Sequence, residues 1–288
     1  MPIYQAIVLA IVQGLTELLP VSSSAHVIVT ARLFQQDMST PANALLLVML
    51  HTGTMFAVIA YFWRRWFATF FSSWAAFVRF VQFVFVATLL SGVIGYPIIL
   101  LVEHTLRRGA DHAVIEDLFN KLNWIAPALA AAGILILYAG LREARSPASG
   151  EGREVRWRDV AWMGIVQGLA IPFRGFSRSG STISAGLLTD GGRASVESFS
   201  FAMAVAITPV AIAREAFRLL RQVHHAGTAV SLSAALVPSL VGMVCAFVAG
   251  VLALKWLSRW LEQGRWYWFG IYCLLAAVVV EALYLRGW

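Results

Sequence analysis

The sequence predicts an all-α, multi-pass membrane protein with six full transmembrane helices and two re-entrant helical hairpins, arranged as an inverted-topology repeat. Of its 288 residues, 59% are hydrophobic and 13% are charged, whereas soluble domains carry about 25% charged residues. Several apolar runs reach roughly 20 residues, the length that spans a bilayer. The pentapeptide Ile-Val-Gln-Gly-Leu occurs twice, at 11–15 and 165–169, and each copy leads into a hydroxyl-rich stretch.

The first half of the predicted repeat covers residues 1–141. It begins with a broken apolar segment, Ile3–Phe34, which we interpret as two half-helices joined by the Pro20–Ser24 turn. Proline ends a helix and serine is a favourable N-cap, so the two residue types explain the break. The full-length spans predicted after it are Ala42–Trp63, Phe80–Val102 and Trp124–Leu141.

A charged stretch over residues 142–159 predicts a solvent loop between the halves of a single membrane domain, residues 1–288. The second half, residues 160–288, repeats the same order: a broken segment at Val160–Leu188, then spans at Glu197–Ala213, Val230–Leu254 and Trp266–Leu285. Three spans are an odd number, so the second copy should enter the membrane from the opposite side. Chance recurrence of the pentapeptide is the alternative, and the equal number of spans in each half disfavours it.

The broken segments constrain where a site can lie. Non-helical backbone at membrane depth is tolerated only where it is buried in protein or lines a cavity, so the two turns should meet near the midplane.

The net charge of +7 reflects arginines at the ends of apolar runs, whose distribution favours both termini outside. Basic clusters interleaved with exposed aromatics are absent from the sequence, and a nucleic-acid partner is therefore not expected.

The first turn carries the motif Gln13-Gly-Leu-Thr-Glu17-Leu-Leu-Pro-Val-Ser22-Ser23-Ser24-Ala-His26. Glu17 lies in an apolar helix half, and an ionisable residue there is a functional hypothesis by default; capping of its own turn or solvation at the interface is the alternative. The three serines at a helix start offer hydroxyl and backbone N–H groups that can bind an anion; ordinary helix capping by serine is the alternative, and the second turn favours the anion site. His26 is a candidate acid–base group, or else a packed side chain.

The second turn reads Arg174-Gly-Phe-Ser177-Arg178-Ser179-Gly-Ser-Thr182. A guanidinium offers forked hydrogen bonds that suit phosphate oxygens, and the neighbouring glycines let the backbone approach a ligand closely. Arg178 could instead pair with Glu17, and the two interpretations are compatible.

Together these residues suit a phosphorylated ligand with a lipid tail, because phosphoryl transfer depends mainly on positioning and on stabilising charge at oxygen. A transporter or flippase of polyprenyl phosphate lipids is the alternative, since inverted repeats with broken helices are typical of secondary transporters. A lipid phosphatase of the acid-phosphatase type is disfavoured, because the second half has no His-x-x-x-Asp.

At these motifs the chain resembles the undecaprenyl-pyrophosphate phosphatase family, also called bacitracin-resistance proteins. The resemblance extends to Phe62–Arg65 and Glu197–Phe201. It implies hydrolysis of undecaprenyl diphosphate to its monophosphate for cell-wall lipid recycling in the bacterial inner membrane. It also implies a divalent cation, Mg²⁺ or Ca²⁺, and a homodimer. The family often has Glu where this chain has Gln13, and usually Pro where it has Arg174.

These inferences assign the following roles. Catalysis is expected of Glu17, Ser23, His26 and Arg178, with Ser23 as nucleophile or, alternatively, a water activated by Glu17 or His26. Glu17 would either hold the cation through the substrate diphosphate or serve as the general base. Substrate binding is expected of Gln13, Ser22, Ser24, Arg174, Ser177, Ser179 and Thr182.

Overall fold

The computed structural model describes residues 1–38, 40–107, 122–145, 152–226 and 232–287. These residues form ten α-helices, which confirms the all-α prediction. The helices are α1 (Ile3–Leu18), α2 (Ser23–Leu33), α3 (Pro41–Phe70), α4 (Trp74–Arg107), α5 (Leu122–Arg145), α6 (Trp157–Ala170), α7 (Arg178–Leu188), α8 (Arg193–Ala226), α9 (Leu232–Glu262) and α10 (Tyr267–Leu285).

Six of these helices are long and apolar enough to cross a membrane, as predicted, and they are α3, α4, α5, α8, α9 and α10. Most of them run past the ends that the sequence predicts. The apolar windows stop at the first charged residues, whereas backbone hydrogen bonding continues beyond them; α3, for example, extends through Arg64 and Arg65 to Phe70. Residues 146–151 of the predicted loop and the first two residues of the predicted span at Val230–Leu254 lie outside the described residues.

Both predicted broken segments are pairs of short helices. Helices α1 and α2 have 16 and 11 residues, and α6 and α7 have 14 and 11, each shorter than the roughly 20 residues that span a bilayer. The first break contains Ser22 at φ +66°. The second contains Gly175 at φ +112°, where a methyl group would lie 2.5 Å from the carbonyl oxygen of Ile125. Only glycine fits that turn without strain.

The second pair begins three residues earlier than predicted, at Trp157 inside the expected loop. The backbone N–H of Arg156 donates to Asp159 Oδ2 at 2.9 Å, and Asp159 is fully buried in the first turn of α6. An acidic residue in the first turn accepts a hydrogen bond from an N–H group there, and its negative charge interacts favourably with the positive end of the helix dipole. This capping explains why the helix starts within a charged stretch.

The short helices α2 and α7 end in the same way. In α2 the N–H of Gln36 donates to the carbonyl of Ala31, five residues earlier, at 2.9 Å, and Gln35 has a φ of +53°. In α7 the N–H of Gly191 donates to the carbonyl of Gly186, also five residues earlier, at 2.9 Å, and Asp190 has a φ of +61°. This is the Schellman type of helix end, and these two examples close the second short helix of each pair.

The chain divides into two compact units, and helices α2, α3, α8 and α9 contribute residues to both. Unit 1 consists of Met1–Leu19, His26–Arg64 and Ala204–Leu257, and unit 2 of Pro20–Ala25, Arg65–Met203 and Ser258–Trp288.

In unit 1, α9 packs against α1 and α3 with glycines at the contacts. A methyl group at Gly14 would lie 2.7 Å from the carbonyl oxygen of Ala246, so the α1 and α9 backbones nearly touch. Residue numbers advance together along both contacts, and α9 therefore runs parallel to α1 and to α3. The contacting pairs are Ala10 with Gly242 and Gly14 with Ala246 for α1, and Leu46 with Gly242 and Ala57 with Gly250 for α3.

In unit 2, α6 packs on α4 and α10 packs on α5. Methyl groups at Gly164 and Gly168 would lie 2.8 and 2.9 Å from carbonyl oxygens of α4, so the contact uses small residues one turn apart. Residue numbers advance together along α4 and α6 and in opposite senses along α5 and α10. The first pair of helices is therefore parallel and the second antiparallel. The contacting pairs are Gly164 with Ala87, Gly168 with Ser91, Gly133 with Gly270, and Gly140 with Tyr267.

Candidate functional site

The second turn presents its motif at the start of α7. Ser177 is the N-cap, and its hydroxyl accepts a hydrogen bond from the N–H of Gly180 at 3.2 Å. Arg178 is the first helical residue. Its carbonyl accepts the hydroxyls of Ser181 and Thr182 at 3.0 and 2.8 Å. These local bonds fix the first turn of α7, from which the Arg178 side chain projects.

The two arginines of this turn differ in burial. Arg178 is half-buried, and its Nη1 atom is shielded from solvent. Arg174 lies in the loop before α7 and is exposed. Ser177 and Ser179 are both buried. A partly desolvated guanidinium interacts more strongly with an anion than an exposed one, which favours Arg178 over Arg174 as the main anion contact.

Thr182 is fully buried and faces α8. Its hydroxyl lies 2.6 Å from the hydroxyl of Ser200, which is itself buried. The pair joins α7 to α8, and the predicted contact of Thr182 with substrate stays a prediction. Sequence reasoning did not single out Ser200, although a serine between Phe199 and Phe201 on an apolar helix was a signal of a buried polar contact.

The first turn places its serines around the start of α2. Ser22 is buried and has a positive φ; Ser23 is the first residue of α2, and Ser23 and Ser24 are half-buried. Positive φ is uncommon for residues other than glycine and tends to occur at functional sites.

The two turns contact each other within unit 2. A methyl group at Gly180 would lie 3.0 Å from Cβ of Pro20. The carbonyl of Pro20 accepts the thiol of Cys273 at 3.1 Å, which ties the first turn to α10 as well. Ser22–Ser24 and Ser177–Thr182 therefore belong to one compact unit. Sequence reasoning did not identify Gly180 or Cys273 as contacts of Pro20, because these contacts join residues far apart in the chain.

The acidic residue of the first motif lies on α1 in unit 1. Gln13 is buried, and its Nε2 donates to Glu17 Oε2 at 3.2 Å. Glu17 is half-buried in the last turn of α1. His26, on α2, is half-buried in the same unit, and its carbonyl accepts the hydroxyl of Thr30 at 2.8 Å. Gln13 therefore positions the carboxylate that sequence reasoning selected, while its own contact with substrate stays a prediction.

A preformed metal cage is not present among the described residues, since no group of three or more His, Cys, Asp and Glu side chains is placed to hold an ion. Glu17 with its Gln13 neighbour offers one carboxylate. Mg²⁺ is commonly bound through one or two carboxylates, with substrate phosphates and water completing its shell. The donor set fits a cation that arrives with a diphosphate.

A second buried carboxyl lies on α8. Glu197 accepts a hydrogen bond from the hydroxyl of Ser258 at 2.5 Å, and both residues are buried. The next carbonyl, that of Ser198, accepts the indole N–H of Trp66 at 3.2 Å. These bonds join α8 to α9 and to the end of α3, which gives the Glu197–Phe201 motif a role in packing.

Residues 6–279 match the family described as bacitracin resistance protein BacA. Undecaprenyl-diphosphatase 2 of Acinetobacter baylyi is 48% identical over 285 residues, which cover 98% of each chain. The undecaprenyl-diphosphatase of Mycolicibacterium smegmatis is 35% identical over 98% of this chain and 97% of its own. That of Gemmatimonas aurantiaca is 35% identical over 98% of both.

The family match includes five of the six apolar helices in full, most of the sixth and both hydroxyl-rich turns, so it covers most of the membrane architecture together with the candidate site. The chain is a multi-pass membrane protein, and it belongs to the bacitracin resistance protein BacA family.

Proposed function

We propose that this protein hydrolyses undecaprenyl diphosphate to undecaprenyl phosphate in the bacterial inner membrane, and so returns the carrier lipid to cell-wall synthesis. The observation that carries the proposal is the contact between the two hydroxyl-rich turns at Pro20 and Gly180, with Arg178 at the start of α7. The names of the relatives support the same activity.

The helix directions support an inverted-topology repeat with two re-entrant hairpins. The corresponding spans are α3 and α8, α4 and α9, and α5 and α10. Consecutive spans alternate in direction, so α9 parallel to α3 requires α8 to oppose α3. Helices α5 and α10 are likewise antiparallel. Each hairpin also packs on the second span of the other half, α1 on α9 and α6 on α4, as a two-fold relation between the halves requires.

The mechanism begins with binding of the diphosphate between the turns. Arg178 and the N-terminal ends of α2 and α7 would stabilise negative charge on the phosphate oxygens. Ser23 Oγ would attack the terminal phosphorus and give its proton to Glu17 as the bond to the bridging oxygen breaks, and water would then hydrolyse the phosphoserine. Alternatively, water attacks directly and gives its proton to Glu17 or His26. Both routes yield inorganic phosphate and the prenyl monophosphate.

A divalent cation, Mg²⁺ or Ca²⁺, would be held by Glu17 and would neutralise charge on the diphosphate when bound. Gln13 would keep the Glu17 carboxylate oriented toward it. We further expect two copies of the chain to form a homodimer.

The test is phosphate release from undecaprenyl diphosphate by the detergent-purified protein. Arg178→Ala should lower the rate by about 10²–10³, as expected for loss of one transition-state donor. Arg286→Ala, which removes an exposed arginine at the end of α10, is the matched control and should leave the rate unchanged. A near-normal rate in Arg178→Ala would contradict the site.

A flippase or transporter of polyprenyl phosphate lipids is the second candidate, favoured by the same helix directions. The detergent assay separates the two functions, because hydrolysis needs no sealed compartment. Wild-type protein that releases no phosphate, yet moves a polyprenyl phosphate across vesicles, would favour the transporter.

A further inference from the structure

We propose that Arg142 and Arg153 are positioning residues for Arg178: they hold the C-terminal end of α7 and thereby fix the helix whose first residue is Arg178. The inference rests on the proposed function. The cluster that carries it, termed here the α7 anchor, consists of Arg142, Arg153, Asp159 and Asp190.

The α7 anchor completes the hydrogen bonding of the helix end. The last carbonyls of a helix lack intrahelical partners and need other donors. In α7, backbone N–H groups and the Thr189 hydroxyl serve the carbonyls of Ala185, Gly186 and Leu187. The next two carbonyls, of Leu188 and Thr189, accept from Arg142 and Arg153. Cations are also favoured at the negative end of the helix dipole.

Arg142 reaches α7 from the end of α5. Its Nη1 donates to the carbonyl of Leu188, and its Nη2 pairs with Asp190 Oδ1 at 3.0 Å. Asp190 has a φ of +61°, a conformation that glycine adopts more readily. Glycine at position 190 would therefore relieve backbone strain. Asp190 instead contributes the carboxylate that pairs with Arg142.

Arg153 connects the two ends of the hairpin. Its Nη2 donates to the carbonyl of Thr189 at 2.8 Å and lies 3.4 Å from Asp159 Oδ1. Asp159 is fully buried and caps the start of α6. One guanidinium thus joins the first turn of α6 to the last residues of α7.

The two ends of α7 are linked by a stiff helix. An α-helix of 11 residues is about 16 Å long, and residues from Ser179 to Leu187 are all buried. A shift at the anchored end is therefore transmitted along the axis to Arg178. Misplacement of a binding group by about 1 Å can lower a rate by about 10².

The first experiment is a double-mutant cycle on phosphate release from undecaprenyl diphosphate. Arg153→Ala should lower kcat/KM by about tenfold in the wild type. In an Arg178→Lys background it should lower kcat/KM by less than about threefold, because the group it positions is already impaired. Arg193→Ala is the matched control, since Arg193 bonds Glu143 and the carbonyl of Glu262. It should reduce both backgrounds by the same factor.

The second experiment separates positioning from stability. In Asp190→Gly, glycine accepts the positive φ while the pair with Arg142 is lost. The unfolding temperature should stay within a few degrees of wild type, whereas kcat/KM should fall several-fold. Arg142→Lys should keep more activity than Arg142→Ala, because lysine can still donate to one carbonyl.

Equal losses from Arg153→Ala in both backgrounds, or normal activity in Asp190→Gly and Arg153→Ala, would overturn this inference alone. An absence of phosphate release from the wild type would overturn the proposed function together with this inference.

Discussion

Gln13 and Glu17 are one helical turn apart, and the amide of the first donates to the carboxylate of the second at 3.2 Å. Hydrogen bonds to charged groups contribute about 1.5–3 kcal/mol. Buried Gln13 therefore helps to fix the orientation of the Glu17 carboxylate. A glutamate at position 13 would replace a neutral donor by a second negative charge, which a bound divalent cation would offset.

This contact predicts opposite behaviour for two variants of Gln13. Gln13→Ala should lower kcat/KM for undecaprenyl diphosphate by about tenfold, the equivalent of about 1.4 kcal/mol. Gln13→Glu should retain activity at saturating Mg²⁺ and keep it down to a lower free Mg²⁺ concentration than wild type does, because a second carboxylate binds the cation more tightly. A magnesium titration of both purified variants checks this, and identical Mg²⁺ profiles for Gln13→Glu and wild type would contradict it.

At the same scale, the sequence was informative about residue types and less so about contacts. Glu17 and Arg178 stand out because charges are rare in apolar segments. The partners of Pro20 and Thr182 did not stand out, because Gly180, Cys273 and Ser200 are small residues whose contacts depend on how helices pack. The anion-binding roles of Arg174, Ser22, Ser24, Ser177 and Ser179 stay predictions.

At the scale of helices, glycines set how closely neighbours approach. Gly164 and Gly168 let α6 approach α4, and Gly14 lets α1 approach α9. Without a hydrophobic driving force in lipid, such close packing contributes much of the helix association. The pentapeptide thus has a structural role in both copies, since its glycine lies at a helix contact each time.

Two glycine-to-alanine variants in the α4–α6 region should have different effects on the free energy of unfolding. In Gly164→Ala the methyl group would lie 2.8 Å from the Ala87 carbonyl, and overpacking of this kind destabilises by about 1–3 kcal/mol. At Gly92 no atom lies within 4 Å of the added methyl group, and alanine should be neutral or stabilise α4 by up to about 1 kcal/mol.

Thermal unfolding of the two purified variants in detergent measures this difference directly. Gly164→Ala should unfold at a lower temperature than wild type and Gly92→Ala at the same or a higher temperature. Equal shifts in both would mean that the α4–α6 contact does not depend on the glycine.

The helix breaks were predictable because proline and serine signal them locally. The helix ends were less predictable, since charged residues that end an apolar window continue the helix in α3 and cap it in α6.

At the scale of the whole molecule, six apolar spans and four short helices could be predicted from length and hydropathy. The directions of the helices could not, because they follow from contacts such as Gly133 with Gly270. Those directions are the strongest support for opposite insertion of the two halves, while the single domain with its division at residues 142–159 stays a prediction.

Opposite insertion predicts the membrane side of each terminus and of the central segment. Single cysteines introduced as Pro2→Cys and Arg286→Cys should react with an impermeant thiol reagent from one side of the membrane. Gly152→Cys should react with it from the other side. Labelling of intact spheroplasts and of inverted vesicles measures this, in a background without reactive native thiols. Labelling of Gly152→Cys from the same side as the termini would exclude the inverted repeat.

The central claim is that the carboxylate of the first motif and the arginine of the second act on one diphosphate with a divalent cation. Its most direct test is phosphate release from undecaprenyl diphosphate by purified wild type and Glu17→Gln, each with Mg²⁺ and with chelator. The account predicts rapid release by wild type with Mg²⁺ and a loss of about 10² or more in the other three conditions. Full activity of Glu17→Gln with Mg²⁺, or of wild type with chelator, would contradict it.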